Sequence, residues 1–460
     1  MWAQGSIAAL EEHMNAERSI CQRIYGLGIL LAVVGGLAGS PLASAAQGQD
    51  RAVLRVGTSG DYAPFSMAYG NNVGTSWKPQ GFDIAVAEAY ARDRNLEIEW
   101  VQFQWPHLRR DLARNRFDIA MSGVTQRPER SLIGHYTVPV AATGAVALVR
   151  DGRRFSKTED LNHTGVTIGV NHGGHLERVT RGRFPNATIR AVTGNETVPE
   201  LLIDGEVDAV VTDTLEAPHW QLGRSGISRL GPFSRDEKSY LVQLDRADLA
   251  RDLNAWLIAA EANGTLNRLR KTHLGRPSRP QPAAPTMALL SNVAERLSLM
   301  PLVAASKRAS GRAIEDPERE KAVLGGATRA VREAAGREGT RFPSRAALEN
   351  FFRSQMEAAK AIQRAALEET PGETSPARTL DLDNDLRPAL DRIGSRMAFL
   401  LTHLPSKLDP AQVQREATEV LAFSGLDSSQ IDAIAESIVA VAHSEDEAEA
   451  RAVPSRVLSQ

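Results

Sequence analysis

The stretch Asp118-Ile-Ala-Met-Ser-Gly-Val-Thr-Gln-Arg-Pro-Glu-Arg130 carries the residue types of an anion cradle. An apolar strand pattern runs into Ser122-Gly123, where a glycine lets the backbone come close to a ligand. Thr125 adds a hydroxyl, and Arg130 adds a planar guanidinium fork that matches a carboxylate. The same logic returns later. Residues 166–170 read as a strand running into Asn171-His-Gly-Gly-His175, and Leu176 opens a helical pattern. Backbone amides at such a turn suit an anion. Residues 208–213 form another apolar run that ends at Asp213, with Glu216 just beyond it. Taken singly, each feature has an ordinary alternative: a plain turn for Gly173-Gly174, a helix cap for Asp213, a surface loop for Arg130. Their recurrence at strand ends gives them weight.

The elements that must hold these residues follow from periodicity. Val53-Leu-Arg-Val56 reads as a strand, Gly81-Phe-Asp83 opens a helix through Arg94, and 96–103 reads as a second strand. Trp105 starts another helix, and 117–121 is a third strand. This alternation implies a parallel sheet with right-handed crossovers, whose ligands bind at the carboxyl ends of the strands. Tyr62, Trp105 and Ser122 fall there.

A chain of 460 residues has room for two or three domains. Its 42% hydrophobic and 24% charged content is that of globular protein, and a net charge of -2 gives no reason to expect nucleic acid or an anionic membrane as partner. The single cysteine, Cys21, excludes an intramolecular disulfide and a cysteine metal cluster. Residues 26–42 are apolar and rich in small side chains, follow Arg18 and Arg23, and lead to Ala43-Ser44-Ala45, a small-x-small cleavage pattern. Residues 1–45 are therefore read as an export signal, which leaves a periplasmic protein with no membrane contact after cleavage. Glycines and Pro41 interrupt the run, which argues against a membrane anchor, and Met14 is an alternative start.

The order Gly-Asp-Tyr62-Ala-Pro-Phe, Gly-Phe-Asp83, Phe-Asp-Ile-Ala-Met-Ser-Gly123, Glu-Arg130, Gly173-Gly174 and Thr-Asp213 resembles the amino-acid-binding periplasmic solute-binding proteins. Within them it is most similar to the cyclohexadienyl dehydratases, over residues 51–275. The resemblance implies two α/β lobes closing on a small ligand, with the chain crossing near 140 and 235, and dehydration of prephenate, often also of arogenate. It makes Glu216 the general acid, Trp105 an aromatic wall, and Arg130 the carboxylate ligand, helped by Ser122, Gly123, Thr125, Asn171, Gly173 and Gly174. Asp213 would meet the amino group of arogenate, and Lys238 matches a position near the cleft, where a solvated hinge lysine is equally consistent. His175 departs from the small hydroxyl residue usual after the two glycines.

Residues 276–286 hold a proline-rich spacer, with four prolines between Arg276 and Pro285. Beyond it, apolar residues recur at helical steps, and helices are expected over 287–311, 316–334, 344–369, 382–403, 410–424 and 427–442, an all-α domain of 287–445 before a tail at 446–460. Arg296 and Lys307 are eleven residues apart, close to three turns, and so share a face; a solvated basic stripe is the ordinary reading. Val-Ala-Glu-Arg296-Leu, Pro-Leu-Val-Ala-Ala-Ser-Lys307, Ile-Glu-Asp316 and Gln355-Met-Glu-Ala-Ala-Lys-Ala-Ile-Gln363 resemble the AroQ-class chorismate mutases, particularly the exported all-α subclass. That resemblance implies carboxylate binding by Arg296 and Arg387, a further pocket cation in Arg319, and contact of Lys307 and Gln363 with the ether oxygen. Ala359 departs from it, since a hydroxyl residue is usual one turn before Gln363.

The two resemblances are chemically linked, because a mutase makes the prephenate that a dehydratase consumes. The expected protein is a bifunctional exported enzyme taking chorismate to prephenate and on to phenylpyruvate, without metal or cofactor, and with the oligomeric state left open. The rival is an amino-acid receptor of a transporter fused to a helical dimerisation module. It predicts tight amino-acid binding and no turnover.

Overall fold

The computed structural model describes residues 51–68, 77–152, 154–275, 281–368 and 380–445. The expected export signal, Cys21, residues 276–280 of the proline spacer and the 446–460 tail lie outside the described residues.

Two five-stranded sheets organise the first half. The first runs Glu97–Gln102, Val53–Thr58, Ile119–Ala120, Leu241–Gln243, Gly134–Tyr136, and its three leading strands pair in parallel. The second runs Thr188–Val192, Thr167–Asn171, Ala209–Asp213, Ala145–Arg150, Ile227–Leu230, again with three parallel strands. The chain passes between them along Ala141–Thr143 and returns along Asp236–Lys238, and these two segments pair with each other. Sequence periodicity thus marks the right strands, but the expected 117–121 strand shrinks to Ile119–Ala120. The helix expected from Trp105 begins as a 3-10 turn, Trp105–His107, with Pro106 in it, before Leu108–Ala113 becomes α-helical.

The second half is helical throughout its described residues: Pro285–Ser298, Met300–Ser310, Pro317–Glu338, Arg345–Glu368, Arg387–Thr402, Pro410–Leu421 and Ser428–His443. Local chemistry sets many of the ends. Asp316, Asp409 and Asp427 cap their helices by accepting from Arg319, Ala411 and Gln430 backbone amides, and Gly311 and Gly339 stop theirs at φ 67° and 63°. The single helix expected over 287–311 is two, because Pro301 in the first turn of the second breaks the hydrogen-bond ladder near Leu299. Pro285–Ser310 is apolar enough to cross a membrane by composition, with mean hydropathy 1.2, yet 72% of that window is buried inside the protein.

The apolar core of the first lobe continues into the helical half, from Leu54, Val56 and Leu257 to Ala283, Met287 and Leu290. The end of the spacer is therefore docked: Ala283 is buried, and its amide donates to Glu261 Oε2 at 3.1 Å. The sequence suggested an extended tether here; the packing makes one body of the two halves.

Candidate functional site

Between the two sheets lies a cleft walled by Tyr62, Trp105, Gly123, Thr125, Arg130, Asn171, Gly174, His175, Leu176, Asn195, Glu216 and Lys238. Its lobes are closed on each other. Tyr62 Oη of the first lobe donates to Asp213 of the second, Asn195 Nδ2 donates to Asp61 O at 3.2 Å, and Arg127 Nη1 donates to Gly174 O at 3.3 Å. Gly123 must be glycine here: its φ is +61°, and a Cβ would come within 2.5 Å of the Tyr62 ring.

Aromatic and cationic groups face the same space. Tyr62 and Trp105 meet edge to face at 5.9 Å, and the Arg130 guanidinium lies 5.8 Å from the Trp105 ring. Arg130 Nη1 donates to Thr125 O at 2.8 Å, which aims the fork while leaving other donors for an anion. Glu216 begins the short Ala217–Gln221 helix and is fully buried. Asn195 Nδ2 donates to its Oε1 and Thr212 Oγ1 to its Oε2, each at 2.6 Å. Burial, followed by the nearby Asp213 charge, pushes the Glu216 carboxyl well above the usual carboxylate range. A carboxyl raised in this way at a cleft wall has the chemistry that a general acid requires.

Most of the residues singled out from sequence meet here, with informative exceptions. Ser122 does not reach the cleft; its Oγ accepts from Ser59 N at 3.0 Å and pairs with Ser59 Oγ at 2.8 Å, bracing the turn. The Gly173 amide donates to Glu177 Oε2 at 2.7 Å, and a Cβ at this position would come within 3.0 Å of Pro106 of the other lobe, so the glycine serves closure instead of an anion. Asp213 lies behind the wall, fully buried, facing Lys238 Nζ at 3.5 Å. Lys238 is no solvated hinge lysine: it is buried and donates to Tyr62 Oη at 2.8 Å and Thr125 Oγ1 at 2.9 Å. His175 lines the cleft with Nε2 on Asp236 Oδ1 at 2.7 Å, and burial lowers its pKa. Sequence reasoning missed Asn195 and Thr212, the two groups that hold Glu216. Thr212 was signalled by its place beside Asp213; Asn195, on a separate turn, had no local signal.

The helical half holds a second polar cluster. Met300–Ser310 and Pro317–Glu338 both pack against Arg345–Glu368, and Arg387–Thr402 packs against Pro317–Glu338. Lys307 Nζ donates to Ile314 O at 2.9 Å. Burial lowers its pKa, while Asp316 and Glu320 pull the other way and the Arg387 charge lowers it further. Burial, then the charges of Arg319 and Arg312, lower that of Arg387. These four cations lie close together, but Asp383 accepts from Arg387 and, at 2.8 Å, from Arg312, so Arg387, expected from sequence to bind a carboxylate, is already paired and would have to exchange Asp383 for a ligand. Arg319 itself is exposed, at the rim of the cluster. Gln363 is buried, with Nε2 on Ala359 O at 3.2 Å and Met300 Sδ at 3.5 Å, and its Oε1 has no partner. Arg296 is half-buried as a residue, yet its Nη1 is sealed from solvent without a partner, and burial pulls its pKa down to about 10. Sealed donors and acceptors of this kind are what a ligand would satisfy.

Closed α/β lobes around a cleft with an arginine and a buried acid, followed by a helical bundle with a cationic cluster, define a class of protein. Residues 54–276 match the bacterial extracellular solute-binding proteins, family 3, and residues 286–364 match chorismate mutase type II. Cyclohexadienyl dehydratase of Pseudomonas aeruginosa is 36% identical over 228 residues, 48% of this chain and 82% of that protein. The L-cystine-binding protein of Escherichia coli is 26% identical, over 49% of this chain and 84% of its own. Among solved structures, an ancestral amino acid-binding protein described as a precursor of cyclohexadienyl dehydratase is 28% identical, covers 48% of this chain and 95% of its own, and has a TM-score of 0.45. The chain belongs to the family-3 solute-binding proteins, in the company of cyclohexadienyl dehydratase, and carries a type II chorismate mutase domain behind that fold. It is an enzyme, with an isomerase domain following a lyase-type domain.

Proposed function

We propose that the chain converts chorismate to prephenate in the helical half and prephenate to phenylpyruvate in the cleft. The observation that carries the second step is Glu216, fixed between Asn195 and Thr212 and buried so that its carboxyl is pushed well above the usual range. Its proton goes to the ring hydroxyl of prephenate, which leaves as water. The ring carboxylate leaves as carbon dioxide, its bonding electrons complete the aromatic ring, and phenylpyruvate remains. Glu216 regains its proton from solvent when the lobes open. Arg130 holds the side-chain carboxylate, and Tyr62 and Trp105 flank the ring. The first step is a pericyclic shift that consumes no proton and needs no cofactor. Arg296 and Arg387 bind the dianion in its compact conformer, and Lys307 with Gln363 stabilises charge on the ether oxygen.

The family's extracellular character supports a periplasmic enzyme. Cell fractionation with antibody to the mature chain should find it with periplasmic markers; recovery in the cytoplasm alone would sink that placement. The functional test is purified protein with chorismate, followed by absorbance, with alkaline detection of phenylpyruvate. Both activities require chorismate loss and phenylpyruvate appearance. Accumulating prephenate would leave the cleft a receptor, as the binding-protein relatives are, and untouched chorismate would remove the mutase reading.

A further inference from the structure

We propose that Lys238 is a built-in ammonium beside Asp213, so that the cleft selects the 2-oxo acid prephenate over the 2-amino acid arogenate. The inference rests on the dehydratase reading of the cleft.

A bound amino acid brings an ammonium that needs acceptors, best of all a carboxylate. Asp213 is the buried carboxylate beside the Tyr62–Lys238 wall, and its oxygens are committed. Oδ1 accepts from Leu215 N at 2.8 Å and Glu216 N at 3.0 Å. Oδ2 accepts from Tyr62 Oη and faces Lys238 Nζ at 3.5 Å. The lysine is equally engaged, with Tyr62 Oη, Thr125 Oγ1 and Asp213 around its three protons.

The other carboxylates near the cleft already accept from neighbouring groups. Glu216, whose pKa burial raises, already accepts from Asn195 and Thr212. Asp236 accepts from His175 at 2.7 Å and Ser234 Oγ at 2.9 Å, and Asp61 accepts from the Trp105 indole at 3.2 Å. Thr125 O accepts from both Arg130 and Tyr136 Oη. His175 Nδ1 is buried without a partner, and it sits in the positive field of Lys238 and Arg127. An ammonium would meet cations there. A 2-oxo oxygen, by contrast, is an acceptor and gains from the same field.

The experiment compares kcat/KM for prephenate and arogenate in the full-length mature enzyme and in Lys238→Met, which keeps the length of the stem and removes the charge. Chorismate turnover in the same preparations checks that each variant is folded. Prephenate should be favoured by about a hundredfold in the native enzyme, the scale on which a site rejects a group it leaves unpaired. In Lys238→Met the ratio should fall at least about tenfold, through weaker use of prephenate and better use of arogenate. Equal or preferred use of arogenate by the native enzyme overturns the proposal, and so does an unchanged ratio in the variant. Calorimetry needs no variant: phenylpyruvate should bind the native cleft more tightly than phenylalanine, and the reverse order overturns it. If the native enzyme dehydrates neither substrate while its mutase turns over, the dehydratase reading itself has failed, a result distinct from a wrong preference.

Discussion

Ser131 Oγ donates to Glu295 Oε1 at 2.8 Å, joining the short Pro128–Ser131 helix that carries Arg130 to the helix that carries Arg296. Glu295 is buried and ion-paired with Arg396, which also donates to Tyr136 O of the first lobe. Arg392 Nη2 adds a bond to Ser131 O at 2.8 Å. The two catalytic halves therefore meet through a polar cluster set in a continuous apolar core.

That cluster should make the halves unfold together. Arg396→Met would leave Glu295 buried without its partner, a loss of about 3–5 kcal/mol. Ser131→Ala removes one hydrogen bond and should cost about 1 kcal/mol. Calorimetric melting of the mature chain should show one transition that shifts down in both variants, Arg396→Met by far the more. Two separate transitions in the native protein, or an unshifted Arg396→Met, would contradict the docking.

How much of this was legible beforehand depends on distance along the chain. Arg130, Thr125, Glu216 and the strand ends could be read because a strand, a turn and a charged residue are neighbours in sequence. The helices of the second half were visible through their apolar steps. Asn195 on Glu216, Lys238 on Tyr62 and Ser131 on Glu295 were not, since 21, 176 and 164 residues separate those partners. Ser122 misled for the opposite reason: its type suited a ligand, but its partner Ser59 is 63 residues away. Long-range commitment of a polar group leaves no local trace.

Glu216 should impose a pH profile on the cleft alone. Burial raises its pKa, and the acid form is the active one, so prephenate turnover should be full at low pH and fall as pH rises through that raised value. Glu216→Gln keeps the partners but has no proton to give, and should lower kcat by about 10²–10⁴-fold with chorismate loss unchanged. Phenylpyruvate formation by the variant at the native rate would remove Glu216 from the mechanism.

Asp83 offers a stability test separate from catalysis. It is fully buried, accepts from the Gly123 amide and from Tyr240 Oη at 3.0 Å, and burial pushes its pKa to about 7. A carboxyl raised on folding contributes most when protonated in both states, below its unfolded pKa of about 4, and that contribution fades as pH rises to about 7. The span is worth roughly 4 kcal/mol at most. Asp83→Asn cannot ionise, so the native-minus-variant difference in melting temperature should shrink or reverse between about pH 4 and 7. A difference constant across that window would count against a neutral Asp83 in the fold.

The role proposed for Gln363 predicts a mutase half insensitive to pH, and a single change should remove that property. Its amide is buried and uncharged, with Oε1 unpartnered and Nε2 only on Ala359 O and Met300 Sδ. A glutamate there could donate to the ether oxygen only when protonated, and the buried position would raise its pKa above about 4.3. Gln363→Glu should therefore keep mutase activity at acid pH and lose about tenfold in kcat/KM per pH unit above the new pKa, while the native enzyme stays flat. Chorismate disappearance measured from about pH 4.5 to 8.5 decides it. Equal slopes in both proteins would place the ether-oxygen contact elsewhere, with Lys307 left as the candidate cation.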